Sequence, residues 1–498
     1  MLGGGYIRGE NFTGGYIGLN TTPALFTDIA GKQNRIQSNP NLVEGSYYVG
    51  GAFGGLIMAA DADQEIVIDC SVNNFLGDVV SQDTEQPEKG ACAGGYAGYT
   101  CLTLNDRSAT ARIGDMVRRL SAVGSVEDIL AEDLAGSHTD GRLVFEGRTD
   151  EYNNRLKGVT APLYAGGVVG YNVPYTRMEI RNIQNSAIVQ AQRAVADPAL
   201  DDREDVTFSY AGGIAGIVTQ KMVIDNCRNV ENGKVLAKGY YTGGLAEVNL
   251  GTIRNCGNIG SLSGSDHIGS VAGLNKGTVQ KCTLTGQVTG GSDVGGLVAY
   301  NDEEGLILDS GVSYKGQDSA VRGTGKNVGG VAAQNRGTIT ACFIRSSVGV
   351  SGTGENIGGI TGLNLPEGRI YQTAAYADDK PVVAGADNVG GLAGYNQGNL
   401  RGVRDSDDQM LLSYDVQATS GRAGGIAGYQ DQTGQISGWI TSGTVQSDSG
   451  LAGGISAENG GRILNCTYAG IVRASGDVGG ITARNNENAR IESSRCKS

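Results

Sequence analysis

The chain is short of the residues that catalysis and nucleic-acid binding most often draw on. Its 498 residues include two histidines, His138 and His267, and a single tryptophan, Trp439. So few imidazoles leave little material for a zinc site or for acid–base chemistry near neutral pH. The patterns His-Glu-x-x-His, Gly-x-Ser-x-Gly and the phosphate-binding glycine loop are absent. Positive charge is also scarce, with 39 Lys and Arg against 52 Asp and Glu and a formal net charge of −13. That balance argues against a basic face for phosphate backbones, so no nucleic-acid partner is expected. No run of about 20 apolar residues exists to cross a membrane as a helix. The opening Met1-Leu2-Gly3-Gly4-Gly5-Tyr6 has neither the charged nor the apolar segment of a secretion signal. Proline is rare at 8 residues and glycine has no triplet period, which excludes collagen.

What the chain has in excess is glycine, 83 residues against an average usage of about 7%. Much of it falls in one motif, seen clearly in Gly390-Gly391-Leu392-Ala393-Gly394-Tyr395-Asn396. Fourteen copies begin at Gly14, Gly54, Gly94, Gly166, Gly212, Gly243, Gly269, Gly295, Gly329, Gly358, Gly390, Gly424, Gly453 and Gly479. A recurring unit of this length signals a solenoid, which grows by stacking and has no single core to fill. The unit from Gly269 to Val294 divides into three extended pieces, Val271 to Leu274, Thr278 to Cys282 and Gly286 to Thr289, each bounded by turn-forming residues. Helices do not fit between those breaks. The fold class expected is therefore all-β, a parallel β-helix of about fourteen coils with three strands per coil and a small helical insertion.

Stacking puts equivalent residues above one another, which predicts columns. Val271, Leu297, Val331, Ile360, Leu392, Ile426, Ile455 and Ile481 form one aliphatic interior column. Ile253, Val279, Ile307, Ile339, Ile370, Leu400 and Ile463 form a second, and Val235, Val288, Val350, Val383, Val445 and Val472 a third. The motif glycines belong where a side chain would collide with a neighbouring coil or where φ is positive. Asparagine closes ten copies, at Asn20, Asn172, Asn249, Asn275, Asn301, Asn335, Asn364, Asn396, Asn459 and Asn485. Asn tolerates left-handed angles and its amides can bond along a stack, so a corner-locking ladder is expected. Ala60, Thr100, Val218 and Gln430 stand in its place elsewhere, and Glu247 replaces the fifth-position glycine, so those coils are expected to be distorted.

Nine cysteines are present. Cys256, Cys282, Cys342 and Cys466 each follow a motif asparagine by seven residues, and Cys70, Cys227 and Cys496 follow similar apolar-polar runs. The expectation is a buried column of small hydrophobes, with Cys92 and Cys101 the best candidates for a disulfide. Tyr99, Tyr171, Tyr300, Tyr395 and Tyr429 share one motif position and read as a structural or surface stack.

The first 180 residues are irregular, and residues 211–498 are regular. Ile113, Met116, Val117 and Leu120 recur at helical spacing, and Ser125 can cap a second helix carrying Ile129, Leu130 and Leu134, giving a helical insert over about 109–136. Residues 181–210 read as an inserted loop with the acidic run Asp197-Pro198-Ala199-Leu200-Asp201-Asp202-Arg203-Glu204-Asp205. Its arginine and its lack of a glycine bend disfavour calcium, and a solvated loop is the default there, at Asn301-Asp302-Glu303-Glu304 and at Asp405-Ser406-Asp407-Asp408.

Segments such as Val389-Gly390-Gly391-Leu392-Ala393-Gly394-Tyr395-Asn396-Gln397-Gly398 and Ile357-Gly358-Gly359-Ile360-Thr361-Gly362-Leu363-Asn364 closely resemble the GLUG repeat. The resemblance covers Gly212 to Ser498 well and Met1 to Ile180 patchily. It implies an extracellular or cell-surface bacterial β-solenoid, as in large adhesins and the non-catalytic regions of immunoglobulin A metallopeptidases, with no catalytic residues to transfer. No cofactor or metal is expected. Expected partners are a cell-surface glycan or protein, or other copies of the chain joined end to end. A carbohydrate-active β-helix enzyme is the main alternative, since parallel β-helices also host polysaccharide lyases and hydrolases.

Overall fold

Frequent glycine and asparagine break the chain into extended pieces too short to stand alone, and these gain stability only when laid against the next coil. The computed structural model describes residues 6–23, 41–70, 77–82, 91–123, 138–147, 157–230, 233–258, 260–316, 318–345, 348–375, 382–403 and 410–497. Two compact units form, Met1–Gly260 and Ser261–Ser498. Each is a stack of parallel strands, and α1, Ala109–Val123, is the one helix among the described residues.

The second unit shows the coil at its most regular. In one coil the strands are Val294–Gly295, Val298–Asn301, Leu306–Leu308, Gly311–Val312 and Val321–Gly323. These are the three extended pieces of the repeat, two of them broken by a two-residue step. Each strand pairs in parallel with its equivalent in the next coil, as in Val294↔Val328, Asn301↔Asn335, Ile307↔Ile339 and Val321↔Val350. The first two aliphatic columns are present as expected. From Val271 to Ile455 every member of the first is fully buried, and their backbones are bonded coil to coil (Leu392 N to Ile426 O, 2.9 Å). The third column in this unit also includes Val321 and Val416, while Val235 belongs to the first unit, packed with Val43, Val79, Val159 and Val189.

The motif glycines follow from close approach. A Cβ at the first glycine would lie well under 3.0 Å from the carbonyl oxygen three residues on, as from Gly390 to Ala393 O and from Gly424 to Ala427 O. At the second glycine a side chain is excluded by the next coil: a Cβ at Gly359 or Gly391 would lie well under 3.0 Å from the carbonyl oxygen of Gly391 or Gly425, with the Tyr414 ring next at 3.1 or 3.0 Å. The fifth-position glycines Gly362, Gly394 and Gly428 press against the backbone of Asn327, Asn356 and Asn388 in the preceding coil. Among the described glycines only Gly438 and Gly443 have positive φ, so collision and not backbone angle selects glycine in the motif.

Left-handed residues occupy two other corners. One series lies two residues before the first motif glycine, at the start of the first strand: His267, Asp293, Asn327, Asn356 and Asn388, with φ of 50–62°. The other follows the third strand: Lys281, Asp309, Ala341, Gln372, Asn465 and Ser493. The motif asparagines are therefore not the left-handed residues, which corrects half of the sequence expectation. The other half holds, because their amides do form a buried ladder. Asn275 donates to Asn301, Asn301 to Asn335, Asn335 to Asn364, Asn364 to Asn396 and Asn396 to Gln430, at 2.7–3.0 Å. Gln430 keeps the ladder going, donating to Arg462 O at 2.9 Å, so its coil is not disrupted. A second ladder runs the opposite way through the left-handed corner, from Asn388 to Asn356 to Asn327 to Asp293.

In the first unit the register places Gly50 beside Gly14 and Gly94. That copy begins at Gly50 rather than Gly54: a Cβ at Gly50 would strike Phe53 O, the same contact that Gly14, Gly94 and Gly166 make with the oxygen three residues on, whereas Gly54 has the backbone packing of the fifth position. Leu56 and Thr100 then fill the asparagine position, and there the strands run on for eight residues, Phe53–Ala60 and Ala97–Leu104. Against these two long strands α1 lays Ile113, Met116 and Leu120, all buried. The second helix expected after Ser125 lies outside the described residues.

None of the nine cysteines is in a disulfide, so the one expected between Cys92 and Cys101 is absent. Cys282, Cys342 and Cys466 share a buried position with Ser310, Thr373 and Trp439, directly after the left-handed corner. Cys496 does not join them; it pairs with Tyr468 two residues later and is exposed. Burial pushes the thiols of Cys101, Cys227, Cys342 and Cys466 up to about 12.

Two outcomes follow. Gly390→Ala should destabilise the chain by about 1–3 kcal/mol in urea unfolding, while Gly114→Ala in α1, where nothing lies within 4 Å, should stabilise it by about 0.5–1 kcal/mol. A thiol reagent should label Cys496 alone in the folded protein and all nine cysteines after denaturation; rapid labelling of the buried column would contradict the packing.

Candidate functional site

The places where the repeat is interrupted are the natural places to look for a site. Of residues 181–210, the strands Gln184–Asn185 and Ile188–Ala191 belong to a coil, pairing with Arg228–Asn229 and Lys234–Leu236. The loop that leaves the coil is 192–209, and an antiparallel bridge between Val195 and Phe208 closes its base. Leu200, Val206 and Phe208 are buried beneath it.

Two carboxylates of the acidic run in that loop, Asp197 and Asp201, are held by protein partners, while Asp202, Glu204 and Asp205 are exposed. Tyr210 OH donates to Asp197 at 2.6 Å. Asp201 accepts from Arg203 at 2.6 and 2.9 Å and from Tyr241 OH at 3.2 Å. The Arg203 guanidinium also donates to Tyr241 OH and lies 5.2 Å over the Tyr240 ring. Elsewhere Lys276 meets Asp302 at 2.9 Å and Arg336 meets Glu303 at 3.6 Å, while residues 404–409 lie outside the described residues. No group of three or more His, Cys, Asp and Glu side chains able to hold a metal occurs among the described residues.

Beside the loop, Glu247 takes the fifth motif position. Glycine there would press on the backbone of the left-handed residue in the preceding coil, here Tyr210 (φ 44°). Glu247 instead sends its carboxylate to the amides around that residue, accepting from Ser209 N at 3.0 Å, Ser209 OH at 2.8 Å and Ala211 N at 3.1 Å. The side chain is fully buried. Burial pushes its pKa up to about 7, outweighing the lowering effect of those bonds.

Aromatic rings are arranged as a structural chain and not as a platform. In the first unit Phe12, Tyr48, Tyr99, Tyr171, Tyr164, Tyr210, Phe208 and Tyr241 follow one another with centroids 4.6–6.0 Å apart. Trp439 is buried, its Nε1 donating to Leu400 O at 3.2 Å, so it is closed to a sugar face. On the second unit Tyr395 and Tyr429 are half-buried, 5.0 Å apart and edge to face.

A broad groove with convergent charged groups lies next to Tyr429 on the second unit. It has a volume of about 340 Å³ and runs over Gly421, Gly450 and Gly476. Those glycines occupy, in three successive coils, the column that carries Lys326, Glu355 and Asp387 upstream, so the groove exists because three side chains are missing in register. Arg422 forms one wall. Its Nε donates to Glu458 at 2.8 Å, Nη1 donates to Asp387 at 3.2 Å and to Asn388 at 2.8 Å, and its plane lies 5.1 Å from the Tyr429 ring. Arg484 stands at the far end, with Nε on Asp477 at 2.7 Å. None of these residues stood out in the sequence, although glycine three residues before the motif in three consecutive copies is a readable signal. Compared with family models, with curated proteins and with solved structures, the chain matches none.

The Glu247 carboxyl yields a pH prediction with a definite sign. Its pKa is raised on folding from 4.5 to about 7, so the folded state holds a proton that the unfolded state has released between those values. The stabilising contribution is full below about pH 4.5 and is lost as pH rises through 7. Glu247→Gln should flatten this slope, on the order of a few kcal/mol, in chemical denaturation from pH 5 to 8; an unchanged slope would show that Glu247 does not titrate there.

Proposed function

We propose that the chain is a non-catalytic structural and adhesive β-solenoid of the GLUG type, exported to a bacterial cell surface, where it spaces and presents binding surfaces to a glycan or protein. The observation that carries this reading is that the recurring residues of the repeat are already engaged in the stack. The glycines are set by backbone approach and the asparagines by amide ladders, and the cysteines are buried as small hydrophobes. What remains free to vary is the outer surface, where the loop 192–209, α1 and the glycine-floored groove depart from the pattern. The resemblance of Val389 to Gly398 and of Ile357 to Asn364 to the GLUG repeat supports the same reading.

A carbohydrate-active enzyme is the second reading, favoured by one feature. Asp387 and Glu458 both bond to Arg422 at the edge of the groove, and paired carboxylates are the working parts of glycoside hydrolysis. A panel of polysaccharides and surface proteins, assayed for both binding and product release, separates the two. Saturable binding without new reducing ends or unsaturated products is expected. Turnover that disappears in Glu458→Gln would replace the adhesive reading with the enzymatic one.

A further inference from the structure

We propose that the groove over Gly421, Gly450 and Gly476 is a binding subsite for a carboxylated saccharide, about a disaccharide of a uronic-acid chain, lying along the stack. The inference rests on the adhesive reading and names the chemistry of its ligand.

The floor is backbone. A Cβ at Gly450 would overlap Gly421 O, and one at Gly476 would come within 2.6 Å of Gly450 O, so the column stays open across three coils. Two coil spacings give roughly 10 Å of open length. Asp387 folds over Gly421 and closes the upstream end, where it also accepts from Arg422 N at 2.7 Å. The buried Leu451 contributes an apolar patch between the polar groups.

The polar groups around this floor form a mixed set. Arg484 is half exposed, and only its Nε is bonded, to Asp477, leaving both terminal nitrogens without a partner among the described residues. Arg422 is fixed by Glu458, Asp387 and Asn388 through Nε and Nη1, leaving Nη2 without a partner among the described residues. A fork of free guanidinium N–H groups suits a carboxylate, which can accept two bonds in one plane. Ser420 and Ser449 each donate their hydroxyl hydrogen to a backbone carbonyl, Ala386 O and Thr419 O, so their oxygens are left as acceptors. The Asp387 and Glu458 oxygens already accept from Arg422, Asn388 and Asn486, but each carboxylate oxygen can accept a further bond, so together with the two serines they favour a ligand rich in hydroxyl donors. An acidic peptide supplies the carboxylate but few hydroxyls for the acids. A neutral glycan supplies the hydroxyls but leaves the Arg484 fork in water. A uronic-acid oligosaccharide supplies both.

The test is calorimetric titration of the full chain with a tetrasaccharide of galacturonic acid, and with the same oligosaccharide after reduction of its carboxyl groups. Arg484→Gln and Ser449→Trp, which places a large ring at the groove mouth, should each weaken uronate binding by roughly tenfold or more. Arg473→Gln, on an exposed strand position outside the groove, should leave it unchanged. Stronger binding of the acid form, lost in the two groove variants alone, supports the subsite. Equal binding of the reduced form, no binding of the acid form, or equal loss in Arg473→Gln would overturn it. Failure here leaves the adhesive reading to the wider screen, whereas cleavage of the bound uronate would overturn the non-catalytic reading and leave the groove assignment standing.

Discussion

Everything regular in this protein depends on one close contact, that between the first motif glycine and the carbonyl oxygen three residues ahead. The backbone there steps sharply between two short strands, and a methyl group at Gly390 or Gly424 would occupy the space of that carbonyl. The step lets one extended piece present an aliphatic side chain inward at Leu392 or Ile426 and still reach the asparagine corner four residues later. Repeated in each coil, it keeps the coils in register, and register is what turns scattered valines and isoleucines into continuous columns.

Polar groups hold the corners that the aliphatic columns cannot. A buried amide with no partner costs about 1–3 kcal/mol, so an interior asparagine is tolerable only if its neighbours above and below answer it. The ladder from Asn275 to Gln430 meets that condition coil by coil, and Gln430 meets it with a longer side chain and a backbone acceptor. The same logic explains Glu247. A carboxylate is admitted to a glycine position because two amides and a hydroxyl converge on it, at the cost of a pKa displaced to about 7. The proposed functional surface follows from a converse rule: where three coils in a row omit a side chain, a groove opens, and the charged residues at its edge are left with unused hydrogen-bonding capacity.

The repeat pattern alone specifies a solenoid. Period, turn residues and inward aliphatic positions are local properties, and they named the first two columns, the amide ladder, the buried cysteines and the helix from Ala109 correctly. The remaining features emerge with the stacked coils, because each depends on which residue sits above which. Register moved the second motif copy from Gly54 to Gly50, since the two glycines differ in what their Cβ would strike and not in their local sequence. It took Cys496 out of the cysteine column by two positions and left no disulfide between Cys92 and Cys101. It assigned left-handed angles to Asn327, Asn356 and Asn388 instead of the motif asparagines. It also brought Asp387, Arg422, Glu458 and Arg484, spread over four coils, to one groove. Such convergence is invisible along the chain because coil lengths vary, and only the stacking of backbone hydrogen bonds fixes which side chains become neighbours.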